Sequence, residues 1–124
     1  MKNIKKLCYN DLTSLKEFLF KESDNFKNFL EIGWNSKNIE SHFKKNNNLS
    51  LGYFYKDILC GILIGEKISN QTNFELEIHI MYVSKKYRRI QFGTRLLNYI
   101  EKNRNLLNIS KIYLEVSEDN PEGL

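Results

Sequence analysis

The sequence predicts an α/β fold of the α+β kind, in which helices flank a mixed, mostly antiparallel central sheet. Three observations lead to this prediction. Apolar and polar residues alternate in several short segments, which is typical of strands. Two strand-like segments, residues 49–55 and 58–64, are separated only by Lys56-Asp57, as in a tight antiparallel hairpin. Segments with helical apolar spacing precede and follow these strands, so the expected order of elements is βα(α)βββαβ.

One strand and two helices are expected before the hairpin. Apolar residues alternate with lysines over residues 4–7, which predicts a short first strand. The apolar residues of segment 11–20 recur at helical spacing, so a first helix is expected there. Ser36 is the expected cap of a second short helix, which carries Ile39 and Phe43 on its apolar side.

Three further strands follow the second helix and the first strand of the hairpin. Residues 58–64 are apolar almost throughout, so this strand is expected at the centre of the sheet, covered on both faces. A polar loop is expected at residues 67–73. The strand over residues 74–83 alternates strictly, which assigns Leu76, Ile78, Ile80 and Tyr82 to one face and Glu75, Glu77, His79, Met81 and Val83 to the other. Residues 111–116 are expected to form the last strand, with Tyr113 in the core.

A basic segment joins the clearest strand to the helix expected at about residues 92–103. It contains four cations, Lys85, Lys86, Arg88 and Arg89. The first turn of a helix presents unpaired N–H groups and the positive end of the helix dipole. We therefore interpret this junction as an anion site, best suited to phosphate.

Composition limits the remaining possibilities. The 124 residues suffice for one domain, residues 1–124, and 41% hydrophobic residues are enough for a core. A net charge of +4 suits an anionic partner but is too small to predict nucleic acid. Cys8 and Cys60 lack metal-ligand spacing and are expected to be buried thiols in a reducing compartment, so no metal is predicted. No segment resembles a signal peptide or membrane span, so a cytoplasmic protein is expected.

From residue 74 to about residue 120 the sequence resembles the GNAT superfamily of N-acetyltransferases. The superfamily's fingerprint, Gln/Arg-x-x-Gly-x-Gly/Ala, reads Arg88-Arg89-Ile90-Gln91-Phe92-Gly93 in this chain. The preceding strand, the helix start Gly93-Thr94-Arg95-Leu96-Leu97, and Leu114-Glu115-Val116 followed by Asn120 occur in the order typical of the superfamily. A GNAT-like fold is therefore expected.

The resemblance implies acetyl transfer from acetyl-CoA, as co-substrate, to a primary amine. The acceptor is either a protein N-terminus or a small-molecule amine. In the superfamily the fingerprint holds the CoA pyrophosphate, and the backbone of the preceding strand pairs with the pantetheine arm. The implied cofactor-binding residues are Met81, Tyr82, Val83, Arg88, Arg89, Ile90, Gln91, Phe92, Gly93, Thr94 and Asn120.

The chain departs from the superfamily's pattern at two points. Gln91 replaces the first fingerprint glycine, and a side chain at positive φ costs about 1–2 kcal/mol. The sequence ends at Leu124, where the superfamily continues with a helix and two strands. We therefore expect an incomplete acetyltransferase domain that lacks the final helix and strands. The alternative is an impaired CoA-binding or assembly domain that pairs with a second copy through its open sheet edge.

Acetyl transfer requires a neutral amine and therefore a base. Glu77 is the preferred candidate, since many GNAT enzymes use a strand carboxylate in this neighbourhood. His79 lies on the same predicted face and is a candidate base or part of the acceptor pocket. Glu115 resembles the catalytic glutamate of the alanine-acetylating branch. The alternative for Glu77 is a glutamate without a role, for His79 a packed histidine, and for Glu115 a satisfied strand glutamate. Trp34 lies in the region that usually shapes the acceptor site, which resembles the alanine-acetylating branch, but burial beneath a loop is the favoured interpretation.

Overall fold

Five strands form one sheet in the computed structural model, which describes residues 2–22, 33–69, 71–90 and 92–114. The strands are β1 (Lys2–Leu7), β2 (Ser50–Tyr55), β3 (Ile58–Ser69), β4 (Phe74–Val83) and β5 (Ile109–Leu114). Their spatial order follows the chain, and neighbours are antiparallel from β1 to β4, whereas β5 is parallel to β4. The mixed, mostly antiparallel sheet expected from the sequence is confirmed. β5 begins earlier than the expected residue 111.

Helices cover both faces of this sheet. They are α1 (Leu12–Lys21), α2 (Ser36–Phe43), α3 (Phe92–Lys102) and α4 (Arg104–Leu107), with 3-10 turns at Tyr9–Asp11 and Lys85–Ile90. Leu15 of α1 and Ile39 of α2 are buried against one face, and Leu96 of α3 is buried against the other. The expected order of elements is confirmed, except that the sequence did not predict α4. None of the described helices is long and apolar enough to cross a membrane.

Strand β3 lies at the centre of the sheet, as its apolar sequence predicts. Ile62 and Ile64 belong to the core cluster beneath α1 and α2, whereas Cys60 and Leu63 belong to the cluster beneath α3. Both faces of the strand are therefore covered, as expected.

The hairpin between β3 and β4 is longer than expected. The polar loop predicted at residues 67–73 is wrong in its first part, because β3 continues to Ser69, which pairs with Phe74. The Lys67 Nζ lies 4.3 Å from the centroid of the Phe74 ring, so the charged end of the side chain rests on an aromatic face. Polar residues at the exposed end of the hairpin thus extend the strand.

The turn between β2 and β3 has the two residues that the sequence predicts. Lys56 and Asp57 have φ angles of 51° and 65°, so both adopt the left-handed conformation of a type I′ turn. Two L-residues with side chains accept this conformation because its twist matches that of the flanking strands.

Three local expectations are corrected. Asn35, not Ser36, caps α2, since its side chain accepts a hydrogen bond of 2.9 Å from the backbone N–H of Asn38. Cys8 is exposed, because β1 ends at Leu7 and the chain turns outward there. Tyr113, expected in the core, is 49% exposed on the edge strand β5.

An extra residue interrupts the pairing between β3 and β4. Ile64 pairs with Ile80, and Gly65, the next residue on β3, pairs with Ile78. His79 is therefore the extra residue of β4. A β-bulge of this kind bends the strand and redirects its side chains.

The bulge reverses the alternation of side chains along β4. Leu76 and Ile78 lie in the core cluster beneath α3 together with Met81 and Val83, whereas Ile80 and Tyr82 lie in the cluster beneath α1 and α2. The strict alternation expected from the sequence is therefore wrong. A period of two within one strand cannot reveal the inserted residue, because a bulge depends on the register with the partner strand.

Candidate functional site

The bulged part of β4 borders a cavity of about 390 Å³ between the sheet and α2. Its lining residues are Gly33, Trp34, Asn38, Ser41, His42, Lys45, Glu66 and His79. One wall comes from α2 and the residues on either side of it, and the other comes from β3 and β4. We call this the α2 cavity. Its volume lies within the range of small-molecule sites, and its lining is mainly polar.

His79 and Glu66 form a hydrogen-bonded pair on the sheet wall of the α2 cavity. Nε2 of His79 lies 2.8 Å from Oε1 of Glu66, and the side chains are only 16% and 18% exposed. The second carboxylate oxygen accepts a hydrogen bond of 2.8 Å from Nδ2 of Asn47. Both oxygens of Glu66 are therefore engaged, which fixes the carboxylate beneath the histidine ring.

The ionisation of Glu66 determines which nitrogen of His79 carries a proton. Burial raises the pKa of Glu66, but the hydrogen bonds from His79 and Asn47 and the charge of His79 lower it by more, so the net shift is downward. An ionised carboxylate can only accept hydrogen bonds. Nε2 of His79 must therefore donate, and in the neutral ring the lone pair lies on Nδ1.

Glu77 places a second carboxylate beside that lone pair. Its Oε1 lies 3.7 Å from Nδ1 of His79, which is too far for a hydrogen bond, and its negative charge attracts a cation that approaches both atoms from the side. The side chain of Glu77 is 39% exposed, so it is more accessible to solvent than that of Glu66. The structure thus brings two of the predicted catalytic residues, Glu77 and His79, together at the bulge.

Trp34 and His42 pack against His79. The ring centroid of Trp34 lies 5.3 Å from that of His79 and 5.6 Å from that of His42. Trp34 is half-buried, packs against the core cluster beneath α1 and α2, and lines the cavity. The residues just before Gly33 lie outside the described residues, so the expected burial of Trp34 beneath a loop stays a prediction. The aromatic ring provides an apolar surface beside the two carboxylates.

His42 anchors α2 to the centre of the sheet. It is 3% exposed, and its Nε2 lies 2.9 Å from the backbone carbonyl oxygen of Gly65, to which it must donate. Burial lowers the pKa of His42; the bond to Gly65 and the charge of Glu66 raise it, and His79 and Lys45 lower it further, with a net downward shift. His42 is therefore neutral near pH 7.

The glycine opposite the bulge allows the strands to approach closely. A Cβ atom on Gly65 would lie 2.9 Å from the backbone oxygen of Leu49 and 3.0 Å from that of Glu77. Both contacts are with backbone, which cannot move aside easily. Gly65 therefore fixes the position of its neighbour Glu66 against His79.

Sequence reasoning missed Glu66 and His42. A signal for His42 exists, since it is a polar residue within the apolar stripe that Ile39 and Phe43 form on α2. Glu66 follows directly after the apolar run of β3 and carries no signal of its own. Its pairing with His79 depends on the register of the hairpin, which the sequence does not display.

The predicted cofactor-binding residues lie at the end of β4 and at the start of α3. The side chains of Met81, Tyr82 and Val83 are buried. Arg88, Arg89 and Ile90 belong to the 3-10 turn that precedes α3, and Phe92, Gly93 and Thr94 belong to the first turn of α3. Gln91, Asn120 and the predicted catalytic Glu115 lie outside the described residues.

A carboxylate from α1 fixes the end of β4. Glu22, at the end of α1, accepts hydrogen bonds from the hydroxyl of Tyr82 at 3.1 Å and from that of Ser84 at 3.4 Å. Lys85 and Lys86 follow and are exposed.

In the described residues β5 pairs only with the first half of β4, as far as Ile78 and Leu114. Within the same residues, no group of three His, Cys, Asp or Glu side chains is arranged to hold a metal ion.

The model of the Acetyltransferase (GNAT) family matches residues 9–123 of this chain. The chain belongs to the GNAT family. This membership confirms the resemblance that the fingerprint and its neighbouring elements indicate. No curated protein matches the sequence.

Solved structures of acetyltransferases resemble this GNAT chain in fold. A ribosomal-protein-alanine N-acetyltransferase from Brucella melitensis is 14% identical, with 95% of this chain and 81% of that chain covered and a TM-score of 0.75. An aminoglycoside acetyltransferase from an uncultured soil metagenomic sample, in complex with sisomicin, is 13% identical. The match covers 97% of this chain and 80% of that chain, with a TM-score of 0.73. A predicted acetyltransferase from Clostridium acetobutylicum, solved with acetyl-CoA, is 16% identical. The match covers 98% of this chain and 84% of that chain, with a TM-score of 0.67.

Proposed function

We propose that this protein transfers the acetyl group of acetyl-CoA to an amine. The observation that carries the proposal is the pair of His79 and Glu66, whose side-chain atoms approach to 2.8 Å on a wall of the α2 cavity. A histidine oriented by an ionised carboxylate is well suited to remove a proton. Membership of the GNAT family and the acetyl-CoA complex of the Clostridium acetobutylicum protein support acetyl-CoA as the co-substrate.

The acceptor has to lose a proton before it attacks, because an amine is largely protonated at neutral pH. Nδ1 of His79 receives this proton, while Glu66 keeps the other ring proton on Nε2. The carboxylate of Glu77, 3.7 Å from Nδ1, attracts the ammonium group to this position. The sequence favours Glu77 as the base; the geometry favours His79 as the base and Glu77 as an electrostatic guide.

The proposed transfer conserves bonds, electrons and protons. The neutral amine nitrogen forms a bond to the acetyl carbonyl carbon, the carbon–sulfur bond breaks, and the sulfur leaves with the electron pair. Counted from the ammonium form, one proton ends on the CoA thiol and one is released to solvent. Acetyl-CoA supplies an activated acyl group, and the residues of the chain supply orientation and proton removal.

We assign the CoA site to the end of β4 and the start of α3. The side chains of Met81 and Val83 are buried, and the resemblance to the GNAT superfamily implies that the backbone of this strand pairs with the pantetheine arm. α3 begins at Phe92, directly after the basic segment, and the start of an eleven-residue helix favours an anion such as the CoA pyrophosphate. Gln91 and Asn120 keep their expected roles as cofactor contacts, and Glu115 remains a candidate catalytic carboxylate.

The proposal is tested by incubating the purified chain with acetyl-CoA and a panel of small amines and peptides. Thiol release from acetyl-CoA is followed continuously, and the acetylated amine is identified by mass spectrometry. We expect thiol release that depends on the amine and matches the product in amount. Binding of acetyl-CoA without turnover of any amine would instead favour the impaired CoA-binding domain.

A further inference from the structure

The two walls of the α2 cavity differ in charge. The sheet wall carries Glu66 and His79, with the Glu77 carboxylate beside them. The opposite wall carries Ser41 and Lys45, and none of the described residues that line it is a carboxylate. Within the described part of the chain, the cavity is therefore acidic on one side and basic on the other.

Lys45 lies close enough to influence both sides. It lines the α2 cavity together with Glu66 and His42, and its positive charge contributes to lowering the pKa of both side chains. Among the described residues, no carboxylate lies within ion-pair distance of Lys45. The neighbouring Lys44 differs, since its Nζ lies 3.9 Å from a carboxylate oxygen of Glu40 and it does not line the cavity.

Ser41 adds a hydrogen-bond donor to the basic wall. Ser41 lies in the last turn of α2, and Lys45 follows the end of that helix by two residues; both line the same wall of the cavity. A hydroxyl and an ammonium group can each donate to one oxygen of a carboxylate. His42, neutral near pH 7, adds no charge between the walls.

We propose that the acceptor of the α2 cavity is a small amine that also carries a carboxylate, as an amino acid does. The inference rests on the proposed acetyl transfer and deepens it. The amine lies at Glu77 and His79, and the carboxylate lies at Lys45 and Ser41. The cavity of about 390 Å³ is of the size for such a molecule. A polycation is disfavoured, because a second ammonium group would meet Lys45.

The experiment compares pairs of amines that differ only in the carboxylate. Amino acids and their decarboxylated counterparts are acetylated under the same conditions, and kcat/KM is measured for each pair. The wild-type protein, Lys45→Ala, Lys45→Glu and the matched control Lys44→Ala are compared. For the wild type we expect a preference of about tenfold for the form with the carboxylate, the size of one charge-assisted contact.

The variants locate the source of this preference. Lys45→Ala should remove most of it through KM, Lys45→Glu should reverse it in favour of the decarboxylated amine, and Lys44→Ala should leave it unchanged. A wild type that acetylates both members of each pair equally, or a Lys45→Ala variant that keeps the preference, overturns the inference and leaves acetyl transfer intact. A wild type that acetylates neither member but acetylates another amine or peptide of the panel overturns the inference alone, whereas a wild type that gives no amine-dependent thiol release with any member of the panel overturns both proposals.

Discussion

At the scale of single residues, the proposed chemistry depends on which nitrogen of His79 carries the proton. Glu66 decides this because its carboxylate is ionised and accepts from Nε2 at 2.8 Å. Glu77 acts through space on the other nitrogen, 3.7 Å away. The two carboxylates therefore have separable roles, and substitutions at each should give different kinetic effects.

Replacing Glu66 with glutamine should reduce kcat. An amide can donate as well as accept, so it no longer fixes the proton on Nε2, and we expect a loss of about 100-fold, at the lower end of what a positioned base contributes. Steady-state kinetics with a saturating amine measure it. Glu101→Gln, an exposed change in α3, is the control and should retain full activity. An unchanged kcat in Glu66→Gln would show that His79 is not oriented by this residue.

Replacing Glu77 with glutamine should act mainly on KM for the amine. Glu77 is 39% exposed and makes no hydrogen bond to His79, so its attraction for an ammonium group is partly screened. We expect KM to rise by about two- to fivefold, the range of a partly exposed ion pair, with a smaller change in kcat. A hundredfold fall in kcat would instead identify Glu77 as the base.

How far the site follows from the sequence depends on the range of the interaction. Glu77 and His79 stand close together on one strand, and their neighbourhood is readable from the chain. Glu66 reaches His79 only through the register of the β3–β4 hairpin. Trp34 and His42 reach it only through the packing of α2, so these partners are not visible in the sequence.

At the scale of the elements, the β4 bulge and the helix α2 build the α2 cavity. His79, the extra residue of the bulge, lies against His42 of α2, and His42 ties that helix to Gly65 on β3. The sequence predicts both elements and their approximate bounds. It does not predict the bulge, because local alternation continues through it.

Gly65→Ala should destabilise the sheet at the bulge. The added methyl group would lie 2.9 Å and 3.0 Å from two backbone oxygens, so the strands must move apart. We expect a loss of about 1–3 kcal/mol in the free energy of unfolding, measured by urea denaturation. Gly52→Ala serves for comparison and should cost less, since its new methyl group meets side chains, which can rotate. An equal or smaller loss at Gly65 would contradict the close approach.

His42 should make the stability of the protein depend on pH. Burial, the largest influence, lowers its pKa in the folded state, so the unfolded chain takes up the proton first as the pH falls. The stability that neutral His42 contributes is complete above about pH 6.5 and is lost as the pH falls through the lowered folded pKa. The free energy of unfolding should fall by at most about 1.4 kcal/mol per pH unit, the limit for uptake of one proton.

The variant His42→Gln tests this dependence. Glutamine keeps a donor for the Gly65 carbonyl but does not titrate, so the loss of stability between about pH 7 and pH 5 should become shallower than in the wild type. Urea unfolding across this pH range is the measurement. Parallel curves for the two proteins would show that His42 is not the group responsible.

At the scale of the whole molecule, the elements proposed to hold the cofactor and the proposed acceptor cavity meet at one strand of the GNAT fold, β4. β4 carries the bulge of the α2 cavity at its middle and leads at its end into the basic segment and α3. The fold class and the order of elements follow from the sequence, because apolar periodicity and the GNAT fingerprint are local. The short helix α4 and the full length of β3 do not follow, since they depend on packing and pairing.

The most direct test of acetyl transfer at the α2 cavity compares the wild type with His79→Gln in one assay of amine-dependent thiol release from acetyl-CoA. We expect the wild type to release CoA in proportion to acetylated amine, and the variant to be slower by about 100- to 1,000-fold, as is usual for loss of a general base. Its affinity for acetyl-CoA, measured by calorimetry, should be unchanged. Equal rates in the two proteins, or no amine-dependent release by the wild type, would contradict this assignment.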